Sequence, residues 1–358
     1  IYFIQILSII GTYSFNLICI SLFTAPALLI LRNSRIEIMI CFFFTLASAA
    51  FLIFGHIKND NFNSLESVKN SYKIKAISPN ISLDRFYSKQ DELKIINELI
   101  ELSAPTKIEP TIFVWPEGII PDSYLRDMSG YKNLFLNNFG EDDLIIMGLN
   151  SKETKNDKNL FYNSMAIFNN KLDLIAKYNK VNLVPFGEFT PLESILSLIG
   201  LKTITNSYQS FSSGKTRIPL NVKNSKIDLI FLPLICYEII YSGKLSKDNS
   251  FDYIINISED GWFGKSIGPK QHFSHSIFRS IESGKYIIRS SNNGVSAIIN
   301  PIGIVEQKVE FKSKGYVELS GSKLVKSTPF MQYGNKIFLM LILIYIFLIF
   351  SFNKLKYE

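Results

Sequence analysis

Three long apolar runs bracket a polar middle. Residues 1–31 carry no charged side chain, which exceeds the ~20 residues one helix needs to cross a bilayer. Residues 38–54, IMICFFFTLASAAFLIF, and 337–352, IFLMLILIYIFLIFSF, are uncharged as well. These two are at the short end, and flanking Gly, Tyr and Asn extend them. Buried core helices are the alternative, but three such runs outside a polar section favour membrane spans. Arg32 and Arg35 lie between the first two runs, and Lys354 and Lys356 follow the last. Only Lys58 and Lys336 stand close to the opposite ends. An excess of Lys and Arg marks the cytoplasmic side. The Arg32–Arg35 loop and the C-terminus are therefore expected in the cytoplasm, with the middle section on the other side.

That middle section alternates two periods. Lys73–Ile77, Thr111–Trp115, Leu144–Leu149, Ser164–Phe168, Ile227–Ile235, Tyr253–Ile257 and Val295–Ile299 read as short strands. Residues 84–102 place Leu93, Ile96, Leu99 and Ile100 on one helical face, with Asp84 as the N-cap. Residues 270–286 read as a second helix. Strands alternating with helices predict an α/β sandwich. The expected organisation is membrane helices over 1–56, one catalytic domain over 57–330 and a C-terminal membrane helix over 335–353.

Composition agrees with a membrane protein. Of 358 residues, 47% are hydrophobic and only 19% charged, below the ~25% usual for soluble domains. This excludes a disordered chain and a disulfide scaffold. The net charge of +7 predicts no nucleic-acid partner, because no basic stripe interleaved with aromatics accompanies it. The first residue is Ile, so the chain reads as part of a longer protein.

Of three cysteines, Cys19 and Cys41 fall in the apolar runs and Cys236 is alone in the middle section. The ordinary role of a lone Cys is a small buried hydrophobe. Cys236, however, ends the apolar run 227–235 just before a turn, where α/β folds place reactive groups. Two further segments have the same form: FVWPEG, with Glu117, and KYNKVNLVPFGE, with Lys180 and Glu188. Together they offer a carboxylate, an ammonium and a thiol. Taken singly, Glu117 reads as an exposed helix-start carboxylate and Lys180 says nothing. His272 and His275 are three residues apart but lack the further ligands a metal needs. No metal, no cofactor and no Ser–His–Asp triad are expected.

These segments resemble the Glu–Lys–Cys triad of the nitrilase superfamily, and within it the apolipoprotein N-acyltransferase family of bacterial inner membranes. The resemblance extends to PFGEFTPLE (185–193), to SEDGWFG (258–264) with SIGP and Gln271-His272, and to RSSNNGV (289–295). Five motifs in order, between apolar runs, cover nearly the whole chain. By that resemblance several earlier membrane helices of the family are missing at the N-terminus.

The implied fold is a nitrilase-like α-β-β-α sandwich flanked by transmembrane helices. The implied triad is Glu117, Lys180 and Cys236. Glu188 is placed near the lysine, and Tyr237 and Glu238 beside the nucleophile. Trp262 and Phe263 are either core residues or, with Gly261 and Gly264, exposed aromatics of a lid that meets lipid. Residues 192–211 are either a core helix or, by resemblance, an arm above the site. Two positions depart from the family pattern. Glu259 stands where Asn is frequent, and the aromatic after the first strand is Phe86 or Tyr87. Neither is expected to touch the triad.

The implied reaction moves a fatty acyl chain from a phospholipid, through a thioester on Cys236, to the N-terminal amine of a diacylglyceryl-cysteine on an apolipoprotein. The implied setting is the bacterial inner membrane, as a multi-pass monomer with its catalytic domain facing the periplasm. A membrane-tethered amidase or other nitrilase-type hydrolase is the alternative. A non-catalytic scaffold is a third reading, which an intact triad argues against.

Overall fold

The computed structural model describes residues 1–30, 35–88, 91–155, 157–191, 210–243, 245–246 and 248–357, without the side chains of 352–357. The Arg32 side of the first connection and residues 192–209 of the expected arm lie outside the described residues.

Two helices at the N-terminal end are long and apolar enough to cross a membrane, Phe3–Ile30 and Arg35–Asn63. The first begins with a 3₁₀ turn and continues as α1 (Leu7–Ile30); the second is α2 (Arg35–Asn63). Met39, Phe42 and Phe43 on α2 are 68%, 64% and 64% exposed. That is not the surface of a core helix. The C-terminal α6 (Lys336–Tyr357) is helical too, with a shorter apolar stretch, Lys336–Ser351.

Between these lies the expected α-β-β-α sandwich. One sheet holds β1 (Val68–Ser78), β2 (Thr111–Val114), β3 (Leu144–Lys155), β4 (Lys158–Asn169), β5 (Leu174–Asn179) and β12 (Gly315–Ser322), in the order β12-β1-β2-β3-β4-β5. The other holds β6 (Leu220–Lys223), β7 (Asp228–Ile235), β8 (Tyr253–Glu259), β9 (Tyr286–Asn292), β10 (Ser296–Ile299) and β11 (Val305–Val309), in the order β11-β10-β9-β8-β7-β6. Each sheet has a parallel centre, β1-β2-β3 and β7-β8-β9, with antiparallel flanks. Strand β5 pairs antiparallel with β4, itself antiparallel to β3. It therefore runs in the same direction as β2, and their carboxyl ends share one edge.

Side chains alternate across a strand, and here both faces are covered. Ile112 and Val114 of β2 meet Phe231, Ile235 and Ile255 in the layer between the sheets. Phe113 of β2 points outward, onto Ile96 and Leu99 of α3 (Glu92–Ser103) and Phe135 of α4 (Lys132–Asn138). Leu232, Leu234 and Ile287 turn to the opposite outer layer, where Ile277 of α5 (Gly268–Ser283) packs. Each such burial contributes about 1.5–3 kcal/mol. Double coverage explains why these strands read as continuous apolar runs rather than alternating ones.

The helix expected over 84–102 is shorter. Residues Leu83–Phe86 form a 3₁₀ turn capped by Ser82, and α3 starts at Glu92 with Asp91 as its cap, accepting from the Lys94 N–H at 3.2 Å. Asp84 is thus not the helix cap. The shift turns Leu93 out to solvent and brings Ile95 into the buried face. The helix expected at 270–286 runs from Gly268 to Ser283 and ends at Gly284, whose φ is +67°.

Helix α1 is tied to the sandwich. At Gly11, φ is +72°, and a Cβ there would lie 2.0 Å from the Phe330 ring. The kink frees the Thr12 N–H, which donates to Glu282 of α5 at 2.7 Å. Arg279 pairs with the same carboxylate at 2.7 Å.

Candidate active site

Glu117, Lys180 and Cys236 all follow the carboxyl ends of strands: β2, β5 and β7. The chain beyond β2 passes close to β3. A Cβ on Gly148 would lie 2.5 Å from the Glu117 Cα, so glycine permits that approach. Lys180 is 1% exposed. Its Nζ lies 2.9 Å from Glu188 Oε1 and 3.4 Å from Glu117 Oε1. The Asn163 amide bridges the same two carboxylates, donating at 2.7 Å to Glu117 and 2.8 Å to Glu188. The remaining Glu117 oxygen, Oε2, accepts the peptide N–H of Glu259 at 2.9 Å. Glu188 Oε2 accepts the Val184 N–H at 2.8 Å.

Cys236 opens a 3₁₀ turn, Cys236–Ile240, and its φ is +49°. A left-handed conformation at a residue with a side chain costs roughly 1–2 kcal/mol, and such strain persists only where surrounding bonds over-determine it. Glu238 supplies many of them. It is fully buried, and its Oε2 accepts the Ile235 N–H at 2.9 Å. Its Oε1 accepts from Tyr178, Val181 and Asn182 at 2.7, 2.9 and 3.1 Å, and from Arg217 at 2.9 Å. One carboxylate thereby joins the end of β5, beside Lys180, to the turn that carries Cys236.

A second brace holds the Cys236 carbonyl. His272 Nε2 lies 3.1 Å from that oxygen, and its Nδ1 lies 2.8 Å from Asp260 Oδ1. Arg289 pairs with Asp260 at 2.8 Å. Burial alone would raise the Asp260 carboxyl, but Arg289 and His272 overcome it and hold it well below the usual carboxylate range.

The charges around the thiol oppose one another. Burial pushes the Cys236 thiol well up, the Glu117 carboxylate adds to that, and Lys180 and a hydrogen bond with Ser258 pull back. Burial would lower Lys180, but Glu188 and Glu117 outweigh it and hold its ammonium well above the usual value. The resting site thus pairs a neutral thiol with a fixed cation. The full chain in detergent is expected to show no thiolate ultraviolet absorbance from Cys236 at pH 7–8, near the ordinary thiol value of ~8.5. The difference spectrum against Cys236→Ala measures this, and a thiolate signal there would overturn the assignment.

Trp262 and Phe263 lie on the 3₁₀ turn Asp260–Phe263 and are 49% and 38% exposed, so neither is a core residue. Trp262 packs on Phe86, ring centroids 4.8 Å apart, and Phe263 leans on His272 at 5.4 Å. Phe86 is thus the aromatic standing with the loop; Tyr87 is exposed. Tyr237 is half-buried, edge-on to Tyr241 at 5.4 Å. The expectation that Glu259 stays clear of the triad is corrected, because its peptide N–H reaches Glu117 directly. Asn163, Arg217, Asp260 and Arg289 were not singled out as site residues. Asn163 had one signal, a polar residue inside a strand-like run at 162–164; Asp260 and Arg289 stand in the motifs SEDGWFG and RSSNNGV, and Arg217 had none.

Residues 140–320 match the model of the carbon-nitrogen hydrolases. The chain belongs to the carbon-nitrogen hydrolase family. The matched stretch includes Lys180, Glu188 and Cys236, while Glu117 precedes it. An apolipoprotein N-acyltransferase of Rickettsia typhi is 31% identical over 342 residues, covering 93% of this chain and 65% of that one. The Caulobacter vibrioides protein of that name is 29% identical over 281 residues, covering 76% of this chain and 52% of that one. The resemblance to apolipoprotein N-acyltransferases thus extends over most of this carbon-nitrogen hydrolase chain, which spans about half to two-thirds of these relatives' length. Among solved structures, Saccharomyces cerevisiae Nit3, a member of branch 10 of the nitrilase superfamily, is 17% identical with a TM-score of 0.46, covering 72% of this chain and 91% of that one.

Proposed function

We propose that this protein is a membrane-bound apolipoprotein N-acyltransferase working through a Cys236 thioester. The observation that carries the chemistry is the pair of buried residues Glu117 and Lys180 at strand ends, with Glu188 on the lysine and Cys236 held in a strained turn braced to the same strand end by Glu238. Glu117 takes the Cys236 proton as the sulfur attacks the ester carbonyl of a phospholipid. Lys180 balances the negative charge that passes from sulfur to the carbonyl oxygen. The carbon–oxygen bond breaks, and Glu117 returns the proton to the departing alcohol. The acyl chain is then a thioester. An amine attacks it, loses a proton to Glu117, and expels the Cys236 sulfur, which recovers that proton. The product is an amide. Glu188 holds Lys180, and Glu238 holds the turn beneath the nucleophile.

Water at ~55 M would also resolve a thioester, so a transferase must exclude it. The exposed pair Trp262 and Phe263 suits that task and the entry of lipid tails. The apolar helices and the named relatives favour a phospholipid donor and the N-terminal diacylglyceryl-cysteine of an apolipoprotein as acceptor. The proposed setting is the bacterial inner membrane, multi-pass and monomeric, with 57–330 as the catalytic domain on the periplasmic side and 335–353 as a third span. No cofactor takes part.

Intact-mass analysis tests this reading. Phospholipid alone is expected to leave a long-lived acyl adduct on Cys236. A diacylated peptide with a free N-terminal amine should discharge it to an amide. The N-acetylated peptide should not, since its nitrogen lone pair is delocalised. Release of free fatty acid at one rate with or without the amine would make a tethered hydrolase the better description.

A further inference from the structure

Glu117 is held on both oxygens, but by different things. Oε1 faces Lys180 and Asn163. Oε2 faces one peptide N–H, that of Glu259. A peptide donor is only as well placed as the backbone that carries it, and Glu259 is the last residue of β8, at the entrance to the Trp262 loop. Pairing with Asn292 of β9 holds one side of that backbone, and its own side chain holds the turn that follows. The Glu259 carboxylate is 1% exposed and accepts from Gly261 N–H at 2.8 Å, Asn292 at 2.6 Å, Asn293 at 3.2 Å and the guanidinium of Arg85.

Arg85 is equally buried and spans two elements. Its Nη2 donates to Glu259 and its Nη1 to the carbonyls of Ile81 and Ser82 at 3.2 and 2.9 Å. Its Nε donates to the carbonyl of Gly118 at 3.2 Å. Gly118 directly follows Glu117, in a left-handed turn with φ +57°. One guanidinium therefore grips the backbone beside Glu117 and, through Glu259, the N–H that receives its carboxylate. Its flat face lies 4.4 Å from the Phe86 centroid, and Phe86 supports Trp262.

Stability does not account for such a pair. Exchanging a buried ion pair for apolar residues is often neutral or stabilising. Geometry does account for it, since a planar fork fixes direction as well as distance. We infer that the buried Arg85–Glu259 ion pair positions Glu117, fixing the peptide N–H that receives its Oε2 and the turn that bears it. Both are positioning residues: neither need touch substrate. The inference rests on Glu117 serving as the base.

The test is a double-mutant cycle read by iodoacetamide alkylation of Cys236 in the full chain, followed by mass spectrometry of the Cys236 peptide. It needs no lipid, so it stands apart from the question of transferase or hydrolase. Arg85→Met strands a buried carboxylate and can unfold the chain. The informative variants are Glu259→Gln and the paired Arg85→Met/Glu259→Gln, each with a melting curve. Both are expected to slow alkylation about 10- to 100-fold, the scale on which a misplacement of about 1 Å acts. In a Glu117→Gln background the same changes should slow it no further, because the group they aim is gone. An equal fall in both backgrounds means general loosening and overturns the inference, as does unchanged alkylation in the variants. If Glu117→Gln by itself leaves alkylation unchanged, Glu117 is not the base and the inference falls with it. A chain that passes the cycle yet releases only free fatty acid keeps the positioning pair and loses the transferase reading.

Discussion

Cys236→Ser is expected to lower acyl-enzyme formation by at least about 10⁴-fold while leaving the fold intact. The site is arranged around a group that ionises with difficulty even as a thiol, because burial and Glu117 both oppose its negative form. A hydroxyl ionises far less readily, and Lys180 cannot make up the difference. The backbone gives no reason for Ser to unfold. Both residues have one small side-chain atom beyond Cβ, and both tolerate the φ of +49° under the bonds made by Glu238 and His272. The check is paired: intact mass after incubation with phospholipid, and a melting curve in the same detergent. A folded Cys236→Ala variant that still turns over at the normal rate would end the covalent mechanism, and a Cys236→Ser variant that acylates at the normal rate would show that the thiol is not needed.

The strands that were legible in the sequence are those covered on both faces, such as Thr111–Val114, Asp228–Ile235 and Tyr253–Glu259. Double coverage makes them near-continuous apolar runs. Strand Tyr286–Asn292 escaped because its second half is Arg-Ser-Ser-Asn, all fully buried. Those side chains are solvated by the site rather than by water: Arg289 by Asp260 and Asn256, Asn292 by Glu259. The edge strands β6, β11 and β12 escaped because exposed positions interrupt their pattern. Glu117 and Cys236 were visible because each follows an apolar run; Lys180 follows the partly exposed LIAKYN of β5 and was visible only through the resemblance. What aims them was not. Asn163, Arg217, Arg85 and Asp260 act through partners about 20 to 180 residues away, and one sequence does not reveal such pairings. Glu259 is the instructive case. Its departure from a family pattern was visible, but its peptide N–H, which meets the triad, is present whatever residue stands there.

Lys180→Met should be the most damaging single change in both stability and activity. Among the described residues, the lysine is the one cation between Glu117 and Glu188. A methionine of similar length fills the space but leaves the buried Glu117 and the half-buried Glu188 carboxylates facing each other across the Asn163 amide. Removing one partner of a buried ion pair costs about 3–5 kcal/mol, a large part of a typical stability of 5–15 kcal/mol. The pH dependence gives the cause away. The Lys180 ammonium is held above its ordinary value, chiefly by Glu188 and Glu117 working against burial. The folded chain therefore binds that proton more tightly than the unfolded chain does. The stabilisation is fully present below the unfolded value of about 10.4 and fades only as pH rises through the higher folded value. Across neutral pH the wild-type contribution is constant. In Lys180→Met the penalty comes from paired negative charge, so protonating either carboxyl relieves it. The gap in melting temperature between wild type and variant should be widest near about pH 8 and narrow toward about pH 5, just above the ordinary glutamate value. Acyl-enzyme formation should be absent throughout that range, because neither the thiolate nor the oxyanion retains its cation. A gap that stays constant or widens on acidification would mean that lost packing, not lost charge, destabilises the variant. Retained acylation would remove Lys180 from the mechanism.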